Sequence, residues 1–357
     1  MIKIAQGNLL KADVDALVNT VNTEGVMGKG IALQFKRAYP DVFAKYEEDC
    51  KRGLVQVGSV HLVDLGALGG GPRWVINFPT KRHWRARSRI EDIRAGLSDL
   101  ALKIKAFGIN SIALPPLGCG HGGLNWKDVY PVIEEALGDL PGVQVLVFPP
   151  TGTPDAVDMP NRTQKPSMTS SSAAVIALAG QYRRGLMAPI VRLLEIHKLM
   201  YFLQEAGEPL KLEYSGHTYG PYANNLRHVL SRIEGHWISG YGDGHDAPSK
   251  EIDIQPGAED EAMSYLDGRF ATKERMERVA DLIEGYEDPF GLELLSSVHW
   301  VMCHTPEAAE SVEVAVRAVH DWNPRKATIM KAAHIATAWS HLKAKRWDVE
   351  SRSSPRN

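Results

Sequence analysis

Between Val18 and Phe35 the chain reads VNTVNTEGVMGKGIALQF, and few local structures accommodate that order of residues. An apolar run, Ala16-Leu17-Val18, is ended by Asn19 and Asn22, a turn bearing Gly25, Gly28 and Gly30 follows, and Ile31, Ala32, Leu33 and Phe35 then begin a helical apolar pattern. The predicted order is strand, glycine loop, helix N-terminus. Such a junction aims backbone N–H groups and the positive end of a helix dipole at one place, and the missing β-carbons let a phosphate come close. It is a candidate diphosphate cradle. Gly28-Lys29-Gly30 matches neither the Walker A pattern nor GxGxxG, so an ordinary strand-to-helix turn is the alternative on spacing alone.

The same alternation continues through the first 150 residues. Ile2-Lys3-Ile4 opens as a strand, helices are predicted to about Lys36 and over 42–52, and strands over 60–63 and 74–78 flank a loop from Gly66 to Pro72. Ile93, Leu97, Leu100, Ile104 and Phe107 share one face of a helix over 90–107, which Gly108 ends. The buried strand Ser111-Ile112-Ala113-Leu114 leads into a second glycine loop, Pro115-Pro116-Leu117-Gly118-Cys119-Gly120-His121-Gly122-Gly123-Leu124; a helix over 126–137 and a strand over 143–148 complete the unit. Strands alternating with helices predict a layered α/β domain whose largely parallel sheet is covered on both faces. In such sheets ligands sit beyond the carboxyl ends of the strands, where both glycine loops fall.

A chain of 357 residues can hold two domains of ordinary size. The expected division is an α/β domain over 1–150, a flexible linker over 151–174, a mainly helical domain over 175–348 and a frayed tail over 349–357. Thr151 to Ser172 is rich in proline, glycine and serine and has no aromatic residue. Beyond it Pro189 suits a helix N-terminus ahead of 193–203, Tyr214 to Tyr222 reads as a turn-rich aromatic insertion, and further helices are expected over 224–233, 273–285, 290–303, 308–321 and 324–345. Cys50, Cys119 and Cys303 are too widely spaced for a disulfide framework or a zinc site. No signal peptide or membrane-spanning run is recognisable, so a soluble cytoplasmic protein without metal, cofactor or membrane contact is expected.

Charge is unevenly placed. Residues 1–150 carry 18 Lys+Arg and 15 Asp+Glu, whereas Asp243 to Glu293 holds 15 acids against 5 bases. That acidic stretch is either a solvated face or a surface for something basic. In the first domain Lys81, Arg82, Arg85, Arg87 and Arg89 crowd into nine positions around His83 and Trp84. Cations interleaved with aromatic rings suit a phosphodiester backbone with exposed bases, the alternative being a solvated surface loop.

With VNTVNTEGVMGKGIALQFK, PPLGCGHGGLNW and the Thr80-Lys81-Arg82 loop together, residues 1–150 resemble a macrodomain, the ADP-ribose-binding α/β fold, and within that superfamily the DarG antitoxins of DarT/DarG toxin–antitoxin pairs. The resemblance implies removal of ADP-ribose from thymine bases of single-stranded DNA, Lys81 as the catalytic residue, and ADP-ribose held by Asn8, Leu9, Asn22, Gly28, Lys29, Gly30, Thr80, Leu117, Gly118, Cys119, Gly120, His121, Gly122 and Gly123. Arg82, His83, Trp84 and Arg85 are the expected DNA contacts. The second half resembles SocA-like helical antitoxin domains through His197-Lys198-Leu199-Met200-Tyr201-Phe202-Leu203-Gln204 and Tyr219-Gly220-Pro221-Tyr222, which implies that it binds the cognate toxin.

A lysine near cationic neighbours has a depressed amine pKa and could attack an opened sugar as a Schiff base or shuttle protons. Both roles stay open. Lysine-dependent macrodomains that act on protein glutamate carry an aspartate soon after the second GCG, and here His121-Gly122-Gly123-Leu124-Asn125 supplies none. Three functions therefore compete: a hydrolase of DNA-linked ADP-ribose, an ADP-ribose reader fused to a protein-interaction domain, and a hydrolase of protein-linked ADP-ribose. The basic loop favours the first.

Overall fold

A computed structural model describes residues 1–66, 71–150, 154–155, 158–186, 191–242 and 247–348, and it divides into two compact units that part between Gln164 and Lys165. In the first, the apolar runs assemble one sheet from β1 (Ile2–Ile4), β2 (Ala16–Val21), β3 (His61–Asp64), β4 (Trp74–Pro79), β5 (Ser111–Leu114) and β6 (Gln144–Val147). The strand order is β1-β6-β5-β2-β4-β3, and every pair is parallel except β3 with β4. The helices are α1 (Gly30–Ala38), α2 (Pro40–Lys51), α3 (Ile90–Ala106) and α4 (Trp126–Leu137).

Strands buried between two helical layers must be apolar on both faces, and β2 shows how this is met. Ala16 and Val18 join the core that α3 and α4 complete, while Leu17 between them joins Phe35, Ala38 and Val42 of α1 and α2. Gly96 lets α3 settle on the Phe78 ring, which a β-carbon there would overlap. β2 runs on to Val21 rather than ending at Asn19, because Asn19 finds a polar partner in register: its Nδ2 donates to Oδ1 of Asn77 on β4 at 3.1 Å. From β2 the chain goes to β3 and β4 on one side and returns to β5 on the other. The carboxyl end of β2 is thus the switch point where such sheets open a crevice.

The second unit contains α5 (Ser170–Leu186), β7 (Val191–Arg192), α6 (Leu193–Glu205), β8 (Tyr214–His217), β9 (Gly220–Ala223), α7 (Leu226–Ile233), β10 (Ile238–Ser239), β11 (Glu251–Ile254), α8 (Ala258–Tyr265), α9 (Phe270–Ile283), α10 (Pro289–His304), α11 (Val312–Trp322), α12 (Pro324–Ile329) and α13 (Ala332–Ala344). Four expectations are corrected. The serine run given to the linker is instead the first turn of α5, whose following alanines are buried. The aromatic insertion is a hairpin of β8 and β9. A small sheet, β10-β11-β7, crosses the acidic stretch, where Ile252 and Ile254 are buried and Glu251 and Asp253 exposed: a period of two that charge counting conceals. The expected last helix breaks at Met330 and Lys331, and His320 Nε2 lies 2.8 Å from the Met330 carbonyl at the break. Pro189, part of the 66–72 loop, parts of the linker and the 349–357 tail lie outside the described residues.

Polar groups organise this unit's interior. Glu293 of α10, 1 % exposed, accepts from Lys326 Nζ at 2.8 Å and from Arg325 at 2.6 Å, and Lys326 also donates to Ser297 Oγ at 2.8 Å. Lys198 donates to the Pro221 carbonyl at 2.8 Å. Burial brings the Lys198 ammonium down to about 7; the charge of Lys326 works the same way and Glu293 opposes it. Gly220, at φ +92°, is where the Tyr219-Gly220-Pro221-Tyr222 turn passes over this cluster, with Ser297 Oγ and Lys198 Nζ nearest. That turn is therefore part of the fold's core. Among the described residues no helix is long and apolar enough to cross a membrane.

Candidate functional site

Three loops leave the carboxyl edge of the sheet side by side, after β2, β4 and β5. In the loop after β2 the Asn22 carboxamide is spent on the loop's own shape. Its oxygen accepts from the N–H of Glu24 at 2.9 Å and of Val26 at 3.3 Å, and its nitrogen donates to the Val26 carbonyl at 2.6 Å. From α2, Tyr46 donates its hydroxyl to the Asn22 carbonyl at 2.7 Å. Gly25, at φ +80°, lies against Glu47 and Cys50 of the same helix. Gly28, Lys29 and Gly30 then open α1, and Lys29 at the cap position contributes no side-chain hydrogen bond to the first turn. The first-turn N–H groups of a helix so begun are open to an anion.

The loop after β5 is pinned by close approach. Gly118 adopts φ +72° and its carbonyl accepts from Leu124 N at 3.0 Å, while Gly123 N donates to the Gly120 carbonyl at 3.0 Å. Ser88 N donates to the Gly122 carbonyl at 3.0 Å, and the buried Ser88 side chain fills the space beside Gly118 and Gly122. A β-carbon on Gly122 would overlap both Ser88 Oγ and the Gly118 carbonyl. Gly122→Ala is expected to cost about 1–3 kcal/mol of stability, read as a lowered midpoint in chemical denaturation. An unchanged midpoint would mean that the loop yields freely.

Lys81 stands between these loops. Thr80 continues the β2–β4 ladder by donating its N–H to the Val21 carbonyl at 2.9 Å, and the half-buried Lys81 then sends Nζ to the His121 carbonyl at 3.4 Å. Desolvation lowers its pKa below that of an ordinary lysine. The cause is burial, not the cationic neighbours invoked from the sequence. Those neighbours are partly offset: Arg82 lies 3.4 Å from Asp92, and His83 lies 3.6 Å from Glu24.

The basic loop is laced to both glycine loops. Thr23 donates N–H and Oγ1 to the Arg82 carbonyl at 3.1 and 2.9 Å, and Ser88 and Lys81 make the bonds to Gly122 and His121 on the other side. At its tip His83 stacks on Trp84 with centroids 5.7 Å apart, the Arg85 guanidinium sits 4.4 Å over the Trp84 ring, and Trp84 is 41 % exposed. A flat aromatic surface flanked by cations is thereby presented to solvent.

The other predicted residues divide by what they offer. Leu9 and Leu117 have buried side chains, so only their backbone can face a ligand. Asn8 caps a short 3-10 turn through Leu10 N, and its nitrogen donates to the Asp158 carbonyl at 2.8 Å. Cys119 is half-buried, and burial with Asp128 nearby raises its thiol to about 11, which makes it a poor nucleophile. The His121 ring is exposed and lies beside Gly30, its Cδ2 3.9 Å from where a Gly30 β-carbon would be. Tyr46, Thr23 and Ser88, which hold the loops, escaped the sequence reading because a brace has no motif. Among the described residues, Glu205, His299 and Cys303 of the second unit bring three potential metal-ligand atoms within 4.8 Å. Both His299 nitrogens already have partners, Tyr201 Oη at 2.7 Å and the Trp347 carbonyl at 3.2 Å, so this trio is a packed polar cluster.

Comparison with known proteins adds four findings. Residues 18–133 match the Macro domain family. The chain is 47 % identical over 342 residues to a DNA ADP-ribosyl glycohydrolase of Thermus aquaticus, covering 96 % of this chain and 93 % of that protein. It is 42 % identical over 355 residues to the protein of that name from Mycobacterium tuberculosis, covering 96 % and 99 %. A Thermosipho africanus DNA ADP-ribosyl transferase–DNA ADP-ribosyl glycohydrolase fusion protein is 35 % identical over 146 residues, covering 37 % of this chain and 38 % of the fusion.

Proposed function

The chain belongs to the DNA ADP-ribosyl glycohydrolase family, and from that premise we propose that its first unit hydrolyses the N-glycosidic bond joining ADP-ribose to thymine in single-stranded DNA. The observation that carries this reading is Lys81: an amine with a burial-lowered pKa, held by the His121 carbonyl between two glycine loops at the switch point of the sheet. The loops from Gly28 to Gly30 and from Gly118 to Gly123 would take the diphosphate and the distal ribose, leaving the anomeric carbon near Lys81. A neutral amine there could add to the opened sugar or move a proton. The test is direct: the protein is incubated with a single-stranded oligonucleotide bearing ADP-ribose on thymine. Free ADP-ribose and unmodified DNA are expected, whereas binding without release would make it a reader.

The loop from Arg82 to Arg85 would carry the strand, Trp84 stacking on a flanking base and the arginines meeting phosphates. Trp84→Ala is expected to weaken binding of the modified oligonucleotide roughly tenfold, in line with the worth of one base–aromatic stack, and to leave binding of free ADP-ribose unchanged. Equal loss for both ligands in a titration would remove the loop from the DNA interface.

The second unit would bind the cognate DNA ADP-ribosyltransferase. Support comes from the family match running through the second unit and from the relative whose name joins transferase and glycohydrolase in one protein. The acidic stretch is not a bare acidic face: Glu259 pairs with Arg183 and Arg184, Glu261 with Lys165, Asp267 with Lys273 and Asp281 with Lys345, and Glu293 is buried. Its charge therefore reaches solvent only in part.

A further inference from the structure

Beneath the first glycine loop four side chains form a directed hydrogen-bonded chain that crosses the sheet. Asn19 Nδ2 on β2 donates to Asn77 Oδ1 on β4 at 3.1 Å, Asn77 Nδ2 faces His61 Nδ1 on β3 at 3.2 Å, and His61 Nε2 meets Asp49 Oδ2 on α2 at 2.8 Å. Donors and acceptors alternate along it when His61 carries its proton on Nε2. Asn19, Asn77 and Asp49 are buried, and the His61 side chain is 12 % exposed. Lys45 Nζ, at 3.0 Å, and Arg52, at 3.5 Å, are the cations on Asp49.

Both ends of the chain reach the cradle. At one end Asn19 Nδ2 lies 3.8 Å from Sδ of Met27, a buried residue of the loop itself. At the other end Asp49 lies one turn along α2 from Tyr46, whose hydroxyl holds the Asn22 carbonyl, and beside Cys50, which packs under Gly25. Apolar packing alone would hold α2 against the sheet, but it is non-directional and leaves the helix free to slide or turn slightly. A buried chain of directional hydrogen bonds favours one register. The Asp49–His61 pair supplies that register on the stretch of α2 that carries the loop.

We propose that Asp49 and His61 are positioning residues for the ADP-ribose cradle beside Lys81: by locking α2 to β3, and through Asn77 and Asn19 to β2, they hold the first glycine loop at the spacing that ADP-ribose requires. This rests on the proposed function above. Neither residue touches the ligand. Their loss loosens the cradle while Lys81, carried by β4 and the His121 carbonyl, keeps its place.

The test uses the full chain, with calorimetric binding of ADP-ribose and single-turnover release from the modified oligonucleotide at saturating protein. Asp49→Ala is expected to raise the ADP-ribose Kd about tenfold and to change the single-turnover rate less than twofold. Asp49→Asn, which still accepts the His61 N–H, is expected to stay within about threefold of the wild type in both. Tyr46→Phe, which deletes only the hydroxyl on Asn22 and keeps the packing, gives the same direction should Asp49→Ala fail to fold. Unchanged Kd in Asp49→Ala and Tyr46→Phe, or a rate that falls as far as the affinity, overturns the proposal. A wild-type protein that neither binds ADP-ribose nor releases it overturns the proposed function instead.

Discussion

Lys81→Ala is expected to reduce release of ADP-ribose from the modified oligonucleotide by about 10²–10⁴-fold, the usual worth of a positioned proton-transfer group, while binding of ADP-ribose stays close to the wild type. The reason is geometric: the glycine loops that would hold the diphosphate are built by Asn22, Tyr46, Ser88 and their own backbone, and the Lys81 ammonium contributes one bond, to the His121 carbonyl. Lys81→Arg is expected to be equally inactive, because a guanidinium does not give up its proton. Desolvation lowers the Lys81 pKa, and a reaction that uses the neutral amine speeds up as pH rises and levels off above that lowered value. The rising limb should therefore inflect below the range of a free lysine. Borohydride separates the two chemistries: covalent capture of the sugar on Lys81 identifies a Schiff base, and turnover without capture identifies proton transfer. Full activity in Lys81→Ala would remove this residue from the mechanism.

Glu293→Ala should do the greatest damage to the second unit. It leaves the fully buried Lys326 ammonium with Ser297 as its remaining hydrogen-bond acceptor and takes the carboxylate from Arg325, with Lys198 close by in the same interior. Breaking a buried pair from one side costs about 3–5 kcal/mol, because the surviving charge has neither solvent nor an opposite charge beside it. Denaturation of the full chain followed by tryptophan fluorescence would show the loss, since Trp300 and Trp322 both belong to this unit. Replacing both partners, Glu293→Leu with Lys326→Met, should recover most of it. A single variant as stable as the wild type would show that the charges are solvated after all.

These two effects differ in how far they could be foreseen. Lys81 lies in a run of five cations directly after a predicted strand, and the resemblance to macrodomains singles it out from sequence alone. Glu293 looked like one more carboxylate in an acidic stretch. Nothing local distinguishes it from Glu287 or Asp288, because its partner Lys326 is 33 residues further along and the two meet only when α10 and α12 pack. The hairpin of β8 and β9 was missed for a related reason: Tyr214 to His217 lacks the apolar alternation of a half-buried strand, and its surroundings in the helical core make up for it.

What the amino-acid order determined by itself is what depends on near neighbours. Alternating strands and helices, glycines at the two turns after β2 and β5, and a lysine just past the end of β4 all follow from periodicity and backbone freedom within a few residues. They were enough to direct the candidate site to one edge of one sheet. Tertiary structure decided which polar groups would be buried and what each would bond. Tyr46 of α2 holds the Asn22 carbonyl, Ser88 fills the space that Gly118 and Gly122 leave open, Asp49 reaches β3 through His61, and Lys81 is partly desolvated beside a carbonyl 40 residues away. A buried polar group is stable only with a partner, and that partner is chosen by the packing of distant elements, so no window of sequence contains the answer.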